Sequence, residues 1–272
     1  MFFAIGCGPQ SEAASPTAPA ASANAISSAA APAASSFKGA TVELPGTSGK
    51  GSGYLSLAPS VAGSSAGKHP AIVVIQEWWG MNDWIKQNAD RLAAQGYVTL
   101  AVDLYRGKAT TDPGEAHELM RGLPEDRALG DLEAGFTLLA ARADVDPTRI
   151  GAVGWCMGGG YALALAVAEP KLAAAAINYG RLVTDPAKIG GIKGALLGNF
   201  GGTDRGIPPA DVKEFEAALK AAKKDVDIKI YDAEGHGFMN PANAKGYGAA
   251  ATTDAWARID GFFAKKLKGS AP

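Results

Sequence analysis

From about residue 70 onward the chain alternates between two hydrophobic periods. AIVVIQ (71–76) is a continuous apolar run, as a strand buried on both faces requires. In the next segment Ile85, Ala89, Leu92 and Ala93 recur three or four residues apart. Asn82 is placed to cap that segment and Gly96 to stop it, which predicts a helix. YVTLAVDL (97–104) is again a buried strand. The alternation continues with a helix over about 124–142, a strand over 149–155 and a helix over 157–168. Further strands are predicted over 173–178, 195–200 and 226–231, with helices near 208–223 and 246–267. Strands alternating with helices of this length predict an α/β protein with a mostly parallel central sheet and helices on both faces. Two earlier segments, 40–44 and 53–57, predict an antiparallel hairpin at the N-terminal edge.

Residues 1–36 break this pattern. After Cys7 runs an Ala/Ser/Pro tract with almost no charge and a single Ile, which cannot bury enough surface to fold. The division predicted is a disordered tail over 1–36 and one catalytic domain over 37–272. MFFAIGCG is too short and lacks the preceding basic residues of a secretory signal, yet it is similar to the end of a bacterial lipoprotein signal, with Gly6 before Cys7. Two readings stay open: a lipid anchor at Cys7 on a tether spanning roughly 30 Å, or a disordered tail with a chance cysteine. A true start upstream of Met1 would place the domain at the cell envelope as a periplasmic lipoprotein; otherwise it is cytoplasmic.

Composition narrows the function classes. The 272 residues carry 26 basic and 27 acidic side chains, a net charge of -1, mixed along the chain, so no electrostatic footprint for nucleic acid exists. Two cysteines in regions of different composition predict no disulfide. The longest apolar stretch, 161–179, is interrupted by Glu169, Pro170 and Lys171, so no transmembrane helix is expected. The oligomeric state is left open, with a monomer favoured.

In open parallel sheets the working residues gather in loops beyond the carboxyl ends of the strands. Three such loops hold unusual residues: Cys156 after Trp155, Asp204 in GGTDRGIP, and His236 in DAEGHGF. Gly154-Trp155-Cys156-Met157-Gly158 has the form of a nucleophile elbow with cysteine in place of serine. Glycines allow the close backbone approach, and the N–H groups and dipole of the following helix favour a thiolate. Of three histidines, His69 precedes a proline at a strand entry and is expected on the opposite edge of the sheet, and His117 lies in a polar, helical stretch. His236 is the one placed to act as base, and Asp204 would accept its hydrogen bond and fix its tautomer. The order nucleophile, acid, histidine is that of α/β-hydrolases.

QEWWGMND, DLYRGK, GWCMGGG, GGTD and EGHGF together resemble the dienelactone hydrolase family, over nearly all of 37–268. The resemblance implies an α/β-hydrolase fold, a triad of Cys156, His236 and Asp204, and an oxyanion hole from the backbone N–H groups of Met157 and Trp78. It also implies that Glu77 pairs with the resting thiol and helps to activate it. Trp78 and Trp79 are expected to line or roof the pocket. The family's carboxylate-binding arginine corresponds to Asn240 here, and Arg106 is one residue out of place for a second, which puts dienelactone itself in doubt as substrate.

The function expected is hydrolysis of a small-molecule ester or lactone through a thioester acyl-enzyme, with His236 or Glu77 helping to form the thiolate. No organic cofactor is needed. A metal is not expected, because the histidines are few and scattered without an H-x-x-x-H spacing, and no phosphate-binding glycine motif can be read at the elbow. The rival from another class is a catalytically silent α/β-hydrolase-fold binding protein displayed on a membrane tether. A binding protein has no physical reason to keep all three triad members.

Overall fold

The computed structural model describes residues 38–46, 51–58, 61 and 67–269. They belong to the unit Phe37–Pro272, one of two into which the chain divides. The tail and Cys7, with the lipidation reading, lie outside the described residues.

Eight strands form one sheet: β1 Ala40–Glu43, β2 Ser52–Ser56, β3 His69–Ile75, β4 Val98–Val102, β5 Val145–Trp155, β6 Ala174–Asn178, β7 Ala195–Gly201 and β8 Val226–Tyr231. Their order is β1-β2-β4-β3-β5-β6-β7-β8. The β1–β2 and β2–β4 pairs are antiparallel, and all others are parallel. This is the α/β-hydrolase fold with the antiparallel N-terminal edge that the hydrophobic pattern predicts.

Among the described residues seven α-helices connect or flank the strands: α1 Asp83–Ala94, α2 Pro113–Arg121, α3 Glu125–Ala141, α4 Met157–Ala168, α5 Pro186–Gly191, α6 Pro209–Ala221 and α7 Ala249–Phe263. Asn82 caps α1 by accepting the Ile85 N–H at 3.2 Å, and Ile85, Ala89, Leu92 and Ala93 are its buried face. Alternate residues of β3 feed two cores. Ile72 and Val74 pack with α1 and α7 on one face, while Val73 and Ile75 pack with α3, α4 and α6 on the other. Arg91 of α1 grips Asp260 of α7 through two bonds of 2.8 and 2.7 Å and lies over the Trp256 ring.

Some boundaries differ from those read in the sequence. β5 begins at Val145, four residues early, because Val145 pairs with His69 across a register shift that absorbs Pro147. α7 begins at Ala249 because Gly246 and Gly248 donate to Asn243 and Phe238 carbonyls in a turn, and it ends in a π-helical stretch, Ala264–Lys268. The short α5 was not legible in the pattern: two turns with one buried residue, Ile189, leave no periodicity. His69 opens β3, the immediate neighbour of β5, at the strand's amino end, which is the edge of the sheet opposite the elbow.

Chain direction across the sheet reverses between β3 and β5. The helices that follow these two adjacent strands, α1 and α4, leave on opposite faces, which opens a crevice beyond their carboxyl ends. α4 starts so close to that edge that a Cβ on Gly158 would collide with the Ile75 and Gln76 carbonyl oxygens, and one on Gly154 with Gly158. Substituting Gly158→Ala is expected to destabilise the protein by about 3 kcal/mol, read as a lower urea midpoint at unchanged slope. The neighbouring Gly160→Ala, which meets mainly the Arg181 side chain and backbone beyond 3 Å, should cost less.

Candidate active site

Cys156 sits between β5 and α4 with φ 55° and ψ -120°, a left-handed backbone that a residue carrying a Cβ adopts only under constraint. Its N–H donates to Asn178 O at 3.0 Å, and its carbonyl accepts from Gly159 N at 3.0 Å. Both backbone groups are thereby committed, and the side chain is left half-buried at the start of α4. Met157 is the first residue of that helix, so its N–H has no carbonyl one turn back to receive it.

The acid and the histidine are brought together by their loops. Gly202 N–H donates to Tyr231 O and Thr203 N–H to Glu234 O, each at 2.8 Å, which zips the segment after β7 to the segment after β8. A Cβ on Gly201 would come within 2.7 Å of the Glu234 carbonyl, so that close run requires glycine. Gly237, with φ 72°, turns the chain immediately after His236.

The three side chains then form a line. His236 Nε2 lies 3.1 Å from Cys156 Sγ, and His236 Nδ1 lies 2.7 Å from Asp204 Oδ2. Asp204 is buried, and its other oxygen accepts the Gly206 and Ile207 N–H groups at 2.8 and 3.1 Å. Burial works to raise the Asp204 pKa, but His236 and these two N–H donors outweigh it and hold the carboxyl below its ordinary range. Burial likewise works to lower the His236 pKa; the Asp204 carboxylate and the Cys156 sulfur overcome it and raise the imidazole to about 10.

A second carboxyl lies under the site. Glu77, just past the end of β3, is 3% exposed and has its pKa pushed up to about 7, burial prevailing over the opposing effects of Asn240, His236 and Tyr179. Asn240 Nδ2 donates to Glu77 Oε2 at 2.5 Å, and the Tyr179 hydroxyl donates to Oε1 at 3.3 Å. The pairing implied by the resemblance, Glu77 with the thiol, is therefore not the one seen: both carboxyl oxygens are engaged elsewhere, and the sulfur faces His236.

Cys156, His236, Glu77 and Asn240 open on a cavity of about 580 Å³ that is also lined by Trp78, Trp79, Met120 and the segment following His236. The two tryptophan rings lie 4.8 Å apart, tilted against each other. Arg106 is committed to Asp131, at 3.1 and 3.3 Å. Among the described residues no three His, Cys, Asp or Glu side chains meet as a metal site, and no helix is long and apolar enough to cross a membrane.

Two residues escaped the sequence reading. Asn178 donates to Gly154 O at 3.0 Å and accepts from Asn199 at 2.9 Å, a buried polar rung beneath the elbow. Tyr179 touches both Glu77 and His236. The available signal was Asn-Tyr-Gly closing an otherwise apolar strand, at the carboxyl end of the strand next to the elbow.

Comparison with known proteins gives the family of the chain. The family model described as "Dienelactone hydrolase family" matches residues 57–267. A Methylorubrum extorquens protein described as "Putative carboxymethylenebutenolidase" is 30% identical over 214 residues, 74% of this chain and 73% of its own. One from Synechocystis with the same description is 31% identical over 252 residues, 85% of this chain and 98% of its own. Among solved structures, a Klebsiella pneumoniae subsp. pneumoniae protein described as "Putative Dienelactone Hydrolase" superposes with a TM-score of 0.74 at 27% identity, covering 84% of this chain and 98% of its own.

The buried carboxyl makes stability depend on pH. The Glu77 pKa rises from 4.5 to about 7 on folding, so the native state holds the proton more tightly. The stability it confers is complete below pH 4.5 and is lost as pH rises through 7, about 3 kcal/mol in all. Glu77→Gln does not titrate. Its melting temperature relative to the unsubstituted protein should therefore rise between pH 5 and pH 8, as thermal melts across that range will show.

Proposed function

The chain belongs to the dienelactone hydrolase family and is a hydrolase, and we propose that it cleaves a carboxylic ester or lactone through an acyl-thioester on Cys156. The observation that carries this reading is the unbroken line from the Cys156 sulfur through His236 to the buried Asp204, set on a strained elbow that opens into a cavity. An imidazolium at His236, fixed by Asp204, pairs with a Cys156 thiolate. The thiolate attacks the carbonyl carbon, forming the C–S bond as the carbonyl electrons move to oxygen. The N–H groups of Met157 and Trp78 hold that oxyanion, a donor in such a position being worth about 2.7–4 kcal/mol of barrier. Collapse expels the alkoxide, which takes the proton from His236. His236 then removes a proton from water, the hydroxide attacks the thioester, and the thiolate leaves with the acid product free.

Glu77 supports this cycle as a carboxyl that can hold or release a proton beside the triad near neutral pH. The tryptophans and Met120 favour an apolar substituent on the substrate. Asn240 holds Glu77 as a neutral amide and offers no positive charge to a substrate carboxylate. The catalytic unit is 37–272, with 1–36 as its tail. Retention of nucleophile, base and acid in bonding geometry disfavours the silent binding protein.

Purified Phe37–Pro272 is expected to hydrolyse p-nitrophenyl acetate, longer p-nitrophenyl esters and unsaturated lactones. Cys156→Ala and His236→Ala should each lower kcat by about 10⁴ or more. An acyl-cysteine adduct should be trapped by mass spectrometry after acid quench. Equal inactivity of the unsubstituted and Cys156→Ala proteins on every ester and lactone would falsify the proposal.

A further inference from the structure

Three independent observations meet at Tyr179. The first is its backbone. Its φ is 39°, in the left-handed region, which a residue with a Cβ adopts only under constraint. The turn cannot spread to relieve this. Tyr179 N–H is fixed to Asn199 O at 2.8 Å, and the following Gly180 backs directly onto Gly159 and Gly160 in the first turn of α4, where no Cβ fits. The second is its hydroxyl, which reaches Glu77 Oε1 at 3.3 Å inside a fully buried site. The third is its ring, which meets the His236 imidazole edge-on with centroids 5.3 Å apart and is backed by Phe238 at 5.5 Å.

A side chain that only filled space here would not need the hydroxyl, and the crowded turn holds the ring and hydroxyl where they are. We propose that Tyr179 is a positioning residue for the hydrolysis: its hydroxyl holds Glu77 and its ring holds His236, so that both proton-carrying side chains beside Cys156 keep one geometry through the cycle. The proposal rests on the roles given above to Cys156, His236 and Glu77.

The electrostatics agree with that geometry. Burial, reinforced by Glu77 and Cys156, keeps the Tyr179 hydroxyl protonated far above its ordinary range, so it remains a donor. A donor favours the ionised carboxylate and opposes the burial that raises the Glu77 pKa. Two titratable groups act on Glu77, namely Tyr179 at the end of β6 and His236 after β8; its other partner, Asn240, is neutral, and Cys156 acts on the Tyr179 hydroxyl.

The test compares the unsubstituted protein with Tyr179→Phe, Tyr179→Leu and Glu77→Gln. The Glu77 carboxyl is titrated directly by infrared difference spectroscopy, its band identified by loss in Glu77→Gln, and kcat/KM for p-nitrophenyl acetate is followed from pH 5 to 10. Tyr179→Phe keeps the ring and should move the Glu77 titration upward by about one pH unit, carrying with it whichever limb of the rate profile Glu77→Gln removes. Tyr179→Leu also loses the ring and should lower kcat at its optimum about tenfold or more, with circular dichroism confirming the fold. An unchanged Glu77 titration in Tyr179→Phe overturns the proposal, as does a Tyr179→Leu that folds and keeps full kcat. A rate profile that Glu77→Gln leaves intact overturns instead the role given to Glu77 in the cycle, while the infrared titration still decides whether Tyr179 holds it.

Discussion

The site depends on the contact of one helix turn with the ends of three strands at a separation that excludes side chains. Gly158 lies against the last carbonyls of β3, Gly159 against Asn178 and Gly180 beyond β6, and Gly154 of β5 against Gly158 itself. With so little room the chain can pass from β5 into α4 only through a left-handed residue, and Cys156 is that residue. The strain is stored in a place where the surrounding strands over-determine the backbone. Its result is that the sulfur cannot fold back into the core and must stand at the positive end of α4. Tyr179, the second left-handed residue of the site, is produced by the same crowding from the other side.

Around that sulfur two carboxyls in unlike surroundings carry opposite pKa shifts. Asp204 is surrounded by donors and stays ionised, which keeps a proton on His236. Glu77 has one amide and one hydroxyl as partners in an otherwise buried position, and burial raises its pKa to about 7. The polar rung from Asn178 to Asn199 continues to Arg258 of α7, whose guanidinium reaches Asn199 Oδ1 at 3.1 Å. It thereby ties the elbow strand to the helix that follows the histidine loop.

Much of this was legible before any coordinates. The strands buried on both faces announced themselves as unbroken apolar runs, and the Asn82 cap and the α1 stripe were read correctly because local chemistry alone decides them. Cys156, Asp204 and His236 could be named because each sits beside glycines at a strand's carboxyl end, and the coordinates bring all three within bonding distance. What could not be read was lateral order. Sequence gives the direction of a strand but not its neighbour, so the place of β3 between β4 and β5 was not legible. The partners of Glu77 were hidden for a related reason: Tyr179 lies 102 residues away and Asn240 163, and no local pattern marks either pairing.

The segment after His236 is built in two parts. Thr203 holds the chain just before the histidine, at Glu234 O, and the far end of the segment is gathered back where Gly248 N–H and the Thr252 hydroxyl both donate to Phe238 O. Between these ties Ala242, Asn243, Ala244 and Lys245 wall the cavity, and all but Asn243 are exposed. Asn243 is also a strut, its Nδ2 donating to the His236 carbonyl at 3.1 Å, whereas a change of side chain at Ala242, Ala244 or Lys245 alters what the cavity touches and leaves that bond in place. Exposed positions and anchoring positions thus alternate along one short stretch, so the wall facing the cavity is free to vary only where its side chain is not also a strut.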